Sequence, residues 1–166
     1  MADENKSSYS DGETGGEDTQ EGKYLTFHMG GEDYGIEIRY VTEIIGIQRI
    51  TEVPDMPSFI KGVINLRGKV IPVMDVRARF GLPPRDYDER TCIVVVQINT
   101  TFVGLVVDNV NEVANIPPEN IEPPPRSNSS ASSEYIQGMG KMGDKVKILL
   151  NVGKLLYDSG VEQIAM

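Results

Sequence analysis

The chain has 166 residues, 39% of them hydrophobic, and a formal net charge of −9. That length allows one ordinary domain or two very small ones. The acidic balance disfavours a nucleic-acid partner, and no apolar run approaches the roughly 18 residues of a membrane span. The N-terminus lacks the basic and apolar regions of a signal peptide, and the single cysteine, Cys92, excludes an internal disulfide. The apolar neighbourhood of Cys92 predicts a buried thiol in a reducing compartment, so a soluble cytoplasmic protein is expected.

In chain order, residues 1–22 hold seven acidic side chains against Lys6 alone, and Ser and Gly fill the gaps. Such a stretch cannot repay the entropy of ordering, so 1–21 is predicted to be a disordered acidic tail whose simplest role is solubility. Short apolar runs follow, "YLTFHM" (Tyr24 to Met29), "YGIEIRYVTEI" (Tyr34 to Ile44) and "FIKGVINLRGKVIPVMDV" (Phe59 to Val76). Their β-branched content and the Gly, Asn and Pro punctuation predict strands, and the ten prolines exclude long helices. Pro72 predicts an edge strand or a bulge within "KVIPVMD". A short helix is expected at "DVRARFG", capped by Asp75 and ended by Gly81. "CIVVVQI" and "VGLVVDNVNEV" (Val103 to Val113) then read as further strands. "SNSSASS" (Ser127 to Ser133) reads as a polar insert, and "NVGKLLY" as a second short helix capped by Asn151.

The later strands repeat the earlier ones. Gly35, Val41 and Glu43 match Gly104, Val110 and Glu112 at an offset of 69, while Ile36, Ile38 and Ile44 match Leu105, Val107 and Val113. Beyond the serine-rich insert the offset is 76, and "FIKGV" matches "YIQGM" while "KVIPVMDV" matches "KVKILLNV". A period near 70 is too long for a solenoid and suits two small domains. Each half alone would be marginally stable, so the halves should lean on each other. Many short strands, twice over, predict an all-β protein of two small barrels, because closure removes exposed sheet edges. The expected division is a tail at 1–21, a body at 22–157 split near 30–88 and 89–157, and a C-terminal tail at 158–166. An intact tandem pair is the simple arrangement, and exchange of the first strand, 23–29, into the second barrel is the alternative.

Chemistry-bearing constellations are sparse. His28 is the sole histidine and sits in an alternating strand, where a partly exposed strand residue is the plainer reading than a base. Cys92 has no second histidine to pair with, and neither CxxC nor HxxxH spacing occurs, so no metal or cofactor is expected. "GMGKMGDK" (Gly138 to Lys145) is glycine-rich but is not a phosphate-binding loop, and it aligns with a hairpin in the first half. The repeat-related Glu43 and Glu112 offer the best case for an enzyme. Between positions 61 and 85, six basic residues oppose only Asp75, a local excess suited to an acidic protein surface or to solvation. Arg67, in the hairpin turn "NLRGK", fits either a bidentate carboxylate contact or a solvated turn.

The strings "YGIEIRYVTEII", "FIKGVINLRGKVIPVMDVRARFG", "VGLVVDNVNEV" and "YIQGMGKMGDKVKILLNVGKLL" resemble the CheW family of chemotaxis coupling proteins, over Lys23 to Leu156. The resemblance implies two SH3-like five-stranded β-barrels around a shared interface, with the first strand free to belong to the second barrel. It also implies a noncatalytic adaptor joining the histidine kinase CheA, through its regulatory domain, to the cytoplasmic tips of methyl-accepting chemoreceptors in membrane-associated arrays, without insertion into the membrane. The family's VxEI and NLRG segments fall on Val41, Glu43 and Ile44 and on Asn65 to Gly68. Val41, Glu43, Gly62 and Arg67 are therefore the main partner-binding candidates, with Ile38, Val110 and Val113 as additions. The rivals are a generic SH3-like peptide binder outside chemotaxis and a small β-barrel enzyme using Glu43 and Glu112.

Overall fold

The exchange between the halves involves a hairpin. A computed structural model describes residues 20–125 and 134–157; the acidic stretch through residue 19, the serine-rich insert and the residues from 158 onward lie outside it. The first half consists of β1 (Lys23–Met29), β2 (Glu32–Glu37), β3 (Val41–Gly46), β4 (Ile60–Leu66), β5 (Lys69–Asp75) and the one-turn helix α1 (Val76–Arg79). The second half repeats this order with β6 (Cys92–Ile98), β7 (Thr101–Val107), β8 (Asn109–Asn115), a two-residue β9 (Ile121–Glu122), β10 (Ile136–Met142), β11 (Lys145–Leu150) and α2 (Val152–Tyr157). One sheet runs β8-β1-β2-β11-β10-β9 and the other β3-β6-β7-β5-β4. Each sheet thus takes its first hairpin from one half and its remaining long strands from the other. A division near residues 88 and 89 describes the duplication and not the sheets.

The turn chemistry explains why a hairpin is the exchanged unit and not the single strand 23–29. Gly30 and Gly31 both have positive φ, 60° and 86°, so β1 and β2 are joined by the tightest kind of two-residue loop and travel together. Asn99, at φ 55°, opens the matching loop between β6 and β7. The reciprocal pairings then correspond residue by residue. β2 meets β11 in parallel through Tyr34 and Gly35, and β7 meets β5 in parallel through Gly104 to Val106. The β1–β8 ladder has a bulge between Thr26 and Phe27, and the β3–β6 ladder has one between Val41 and Glu43. Gly62 in β4 and Gly138 in β10 each lie at a register shift.

The strands alternate between two interiors. In β6, Ile93 and Val95 point into the first barrel with Ile64, Ile71, Val73 and Val106. Val94 and Val96 point the other way, into a core shared with Leu25, Phe27, Leu105, Leu155 and Leu156. A smaller cluster of Tyr24, Ala114, Ile116 and Leu149 fills the second barrel. Both faces of β6 are covered, which is why "CIVVVQI" reads as a nearly unbroken apolar run. Phe27 is fully buried in the shared core and stacks on Tyr34 at 6.0 Å. Burial of such a ring contributes about 2–3 kcal/mol.

The two short helices are capped alike. Asp75 Oδ1 accepts from the Ala78 amide at 3.2 Å, and Asn151 Oδ1 accepts from the Lys154 amide at 2.9 Å. Two local expectations need correction. Pro72 lies in β5, which is flanked by β4 and β7 and is not an edge; β5 pairs with β7 only from Val73 to Asp75, so the missing amide removes no bond from that ladder. Cys92 is only partly buried, at the start of β6, and its thiol donates to the Arg90 carbonyl at 3.3 Å.

Candidate functional site

β3 and β4 lie at opposite ends of their sheet, and the sheet curls until they meet. After β3 the chain pairs Thr51 with Val63 of β4, which closes the first barrel. Closure brings the β4–β5 turn against the bulged start of β3, where Thr42 Oγ1 donates to the Val95 carbonyl at 3.1 Å. There the Arg67 guanidinium donates through Nη2 to Glu43 Oε2. This hydrogen bond, and then the Glu43 charge, raises the Arg67 pKa above its ordinary value. Arg67 remains 70% exposed and Glu43 27% exposed, so the guanidinium keeps a free face for another group.

Arg67 holds an unfavourable backbone conformation. It occupies the first position of a two-residue turn with φ 52°, followed by Gly68 at 86°. Asn or Gly is the local preference there, and a non-glycine residue at positive φ at a surface turn points to a use for its side chain. Beside it lies a groove of about 410 Å³, lined by the partly buried Leu66 and Phe102 over the core residues Ile71 and Val95. Lys69, also on its rim, lies over the Phe102 ring at 3.5 Å.

The other candidates lie elsewhere. Ile38, Val41 and Val110 are partly buried against the shared core, with Val41 opposite Val96 and Val110 opposite Phe27 in equivalent ladders. Val113 is 54% exposed on β8 and Ile44, its repeat partner, 43% exposed on β3. Gly62 is buried with φ 145°, and a β-carbon there would overlap the Thr51 carbonyl oxygen. Gly62 therefore permits barrel closure through its lack of a side chain. Glu112 lies on β8 in the other sheet, and its carbonyl accepts from Thr26 Oγ1 at 2.9 Å. Glu43 is engaged by Arg67 in the first barrel, whereas Glu112 stands on a strand of the other sheet.

Most of the basic excess at 61–85 is spent internally. Arg77 and Arg85 both reach Asp108 Oδ2, at 3.0 and 3.2 Å, and the Gly30 amide donates to the same oxygen at 3.2 Å. Arg79 stacks over Phe59 and Tyr135 at 4.7 and 4.5 Å. Tyr87 donates to Asp75 Oδ2 at 2.7 Å; burial, with that carboxylate second, raises its phenol pKa well above the ordinary value. A second charged cluster was not legible in the sequence. Lys147, 7% exposed, donates to Asp33 Oδ2 at 2.6 Å, and His28 Nδ1 faces Asp33 Oδ1. Burial pushes the Asp33 carboxyl up. The Lys147 hydrogen bond and the nearby charges of Lys147, His28 and Lys145 outweigh that, so it titrates below its usual value. The available signal was a mismatch between repeats, since Lys147 aligns with Ile71 and Asp33 with Phe102.

The chain folds into two SH3-like barrels with an exchanged hairpin, and the first barrel carries a groove with Arg67 at its edge. A family model for the CheW-like domain matches residues 23–160, and the chain belongs to the CheW family, whose members serve as chemotaxis coupling adaptors. It is 39% identical over 145 residues to chemotaxis protein CheW of Klebsiella aerogenes, covering 87% of this chain and 84% of that one. It is 32% identical over 138 residues to a probable chemotaxis protein CheW of Rhizobium etli, covering 83% and 89%. The crystal structure of the scaffolding protein TtCheW from Thermoanaerobacter tengcongensis superposes with a TM-score of 0.74 at 38% identity, covering 81% of this chain and 91% of that one. Among the described residues, no helix is long and apolar enough to cross a membrane.

Proposed function

We propose that this protein is a noncatalytic cytoplasmic adaptor that joins the histidine kinase CheA to the cytoplasmic tips of chemoreceptors and is recruited with them to membrane-associated arrays. The observation that carries this reading is the meeting of Glu43 and Arg67 beside the apolar groove of the first barrel. An amphipathic helix needs apolar pockets and a few polar groups that fix its direction. The partly buried Leu66 and Phe102 supply apolar surface, and the exposed face of Arg67 supplies a planar donor for a carboxylate. Ile38, Val41 and Val110, against the shared core, and Val113, exposed on β8, are further contacts outside this groove, and Gly62 keeps the first barrel closed. The kinase's regulatory domain docks on an exposed edge or face of a barrel. Coupling is thermodynamic: receptor state changes kinase output only as far as the two states differ in binding or orientation free energy.

The test is an Arg67 series titrated separately against a soluble receptor signalling fragment and the kinase regulatory domain. Arg67→Ala should weaken receptor binding about thirtyfold, as truncation of an interface arginine does. Arg67→Glu should be worse, and Arg67→Lys should recover only part, because an ammonium lacks the fork geometry. Wild-type affinity of Arg67→Glu for both partners would contradict the assignment.

A further inference from the structure

One corner of the first barrel collects more cations than carboxylates. Arg67 and Lys69 stand on either side of Gly68 at the β4–β5 turn, and both are exposed. Gln48 Nε2 donates to the Asn65 carbonyl at 3.5 Å, which keeps the exposed Arg49, next in the chain, beside the same hairpin. Among the described residues Glu43 is the only carboxylate paired with any of the three, and Arg67 stays 70% exposed beyond that contact. The corresponding turn of the second barrel holds Gly143 and Asp144 where Arg67 and Gly68 stand.

The chain itself carries a segment of the opposite charge. In residues 1–19, Asp3, Glu4, Asp11, Glu13, Glu17 and Asp18 oppose Lys6 alone. Their entry into the body lies near the corner. Gln20 lines a groove with Tyr24 and Arg39, and Glu43, which holds Arg67, is four residues beyond Arg39, at most about 13 Å along the chain. Nineteen residues span up to about 60 Å when extended, so acids throughout the segment are within reach of Arg67. Exposed ion pairs are individually weak, but a tether of this length holds its charges at an effective concentration of about a millimolar, which populates the contact.

We infer that the acidic tail, residues 1–19, docks its carboxylates on the corner formed by Arg49, Arg67 and Lys69 and competes there with the acidic groups of a protein partner. The competition rests on the reading of Arg67 given above, whereas the docking does not. A partner carboxylate has to displace those already present, so apparent affinity falls with the fraction of adaptor whose corner is free. A tail that holds the corner for about half to three-quarters of the time weakens the partner about two- to fourfold. The contact is solvent-exposed, so the competition relaxes as salt rises.

The experiment places a nitroxide on the tail of the full chain, through Ser10→Cys in a Cys92→Ala background, and reads the broadening of backbone amide resonances. At about 50 mM NaCl the amides of Arg49, Gly68 and Lys69 should broaden, and the effect should fade at about 500 mM NaCl and when the six tail acids are changed to Asn and Gln. No broadening at this corner, or stronger broadening at the Gly143–Asp144 turn, would overturn the inference. So would equal broadening of an unlabelled chain mixed with the spin-labelled one, since the occupant would then be the tail of a second copy. In a parallel titration with a soluble chemoreceptor signalling fragment at the lower salt, the Asn and Gln tail should raise affinity about two- to fourfold. Equal affinities, with Arg67→Glu still weakening the fragment, would overturn the competition and leave the reading of Arg67 standing. If Arg67→Glu does not weaken the fragment, that reading fails, and the broadening alone decides whether the tail lies on the corner.

Discussion

Gly62 and Thr51 approach so closely that the Thr51 carbonyl oxygen occupies the space a β-carbon on Gly62 would need, and Gly62 also holds φ at 145°. This contact joins β4 to the segment after β3, with Val63 and Thr51 exchanging amide–carbonyl bonds at 2.8 and 2.9 Å. Gly62→Ala should therefore cost about 3 kcal/mol, combining backbone strain with a clash against rigid main chain. Urea unfolding checks this. Partner binding should fall in proportion to the folded fraction, and a stable Gly62→Ala protein that fails to bind would make Gly62 a contact residue instead.

Arg67→Gly separates turn from interface. Glycine relaxes the positive-φ position, so the melting temperature should stay level or rise although the exposed contact with Glu43 is lost. Receptor affinity should still fall about thirtyfold. A marked drop in melting temperature would show that the guanidinium holds the barrel closed.

Lys147→Met should destabilise the protein by about 3 kcal/mol, because it leaves the Asp33 carboxylate buried beside His28 alone. The pair also sets a pH dependence. The folded Asp33 carboxyl titrates below its unfolded value, so its stabilising contribution is complete above about pH 4 and is lost as pH falls through the folded value. Asp33→Phe with Lys147→Ile should flatten that acid limb in urea midpoints measured from pH 7 to pH 2. An unchanged limb would place the acid sensitivity elsewhere.

Asp108→Asn should cost about 2–3 kcal/mol, since Arg77 and Arg85 lose the carboxylate that neutralises them. Because Arg85 lies in the connection between α1 and β6, limited proteolysis should also cut there sooner. Resistance equal to wild type would show that Tyr87 and Asp75 hold the connection unaided.

The duplication was legible because Gly35 and Gly104, and Gly62 and Gly138, take equivalent places in the strand ladders of both halves. Exchange of the first strand was legible as an alternative, but that β2 moves with it was not, since only the two-residue turn fixes which strands travel together. Glu43 and Arg67 were each singled out, but their partnership depends on curling of the sheet, which strand periodicity does not encode. Lys147 was hidden because a lysine in an alternating strand reads as solvent-facing, and only comparison with Ile71 marks it as interior. The Asp108 hub was hidden for a related reason: its repeat position is Arg39, of opposite sign, so the duplication offers no precedent for it.

If this protein bridges kinase and receptor, the three should form a complex that kinase and receptor do not form alone. The most direct measurement is size-exclusion recovery of CheA with a receptor signalling fragment, with and without the protein, at matched concentrations. A ternary peak is expected whose kinase content rises with added wild-type protein and not with Arg67→Glu. Equal recovery of kinase with the receptor in the protein's absence, or binding of the protein to neither partner, would contradict it.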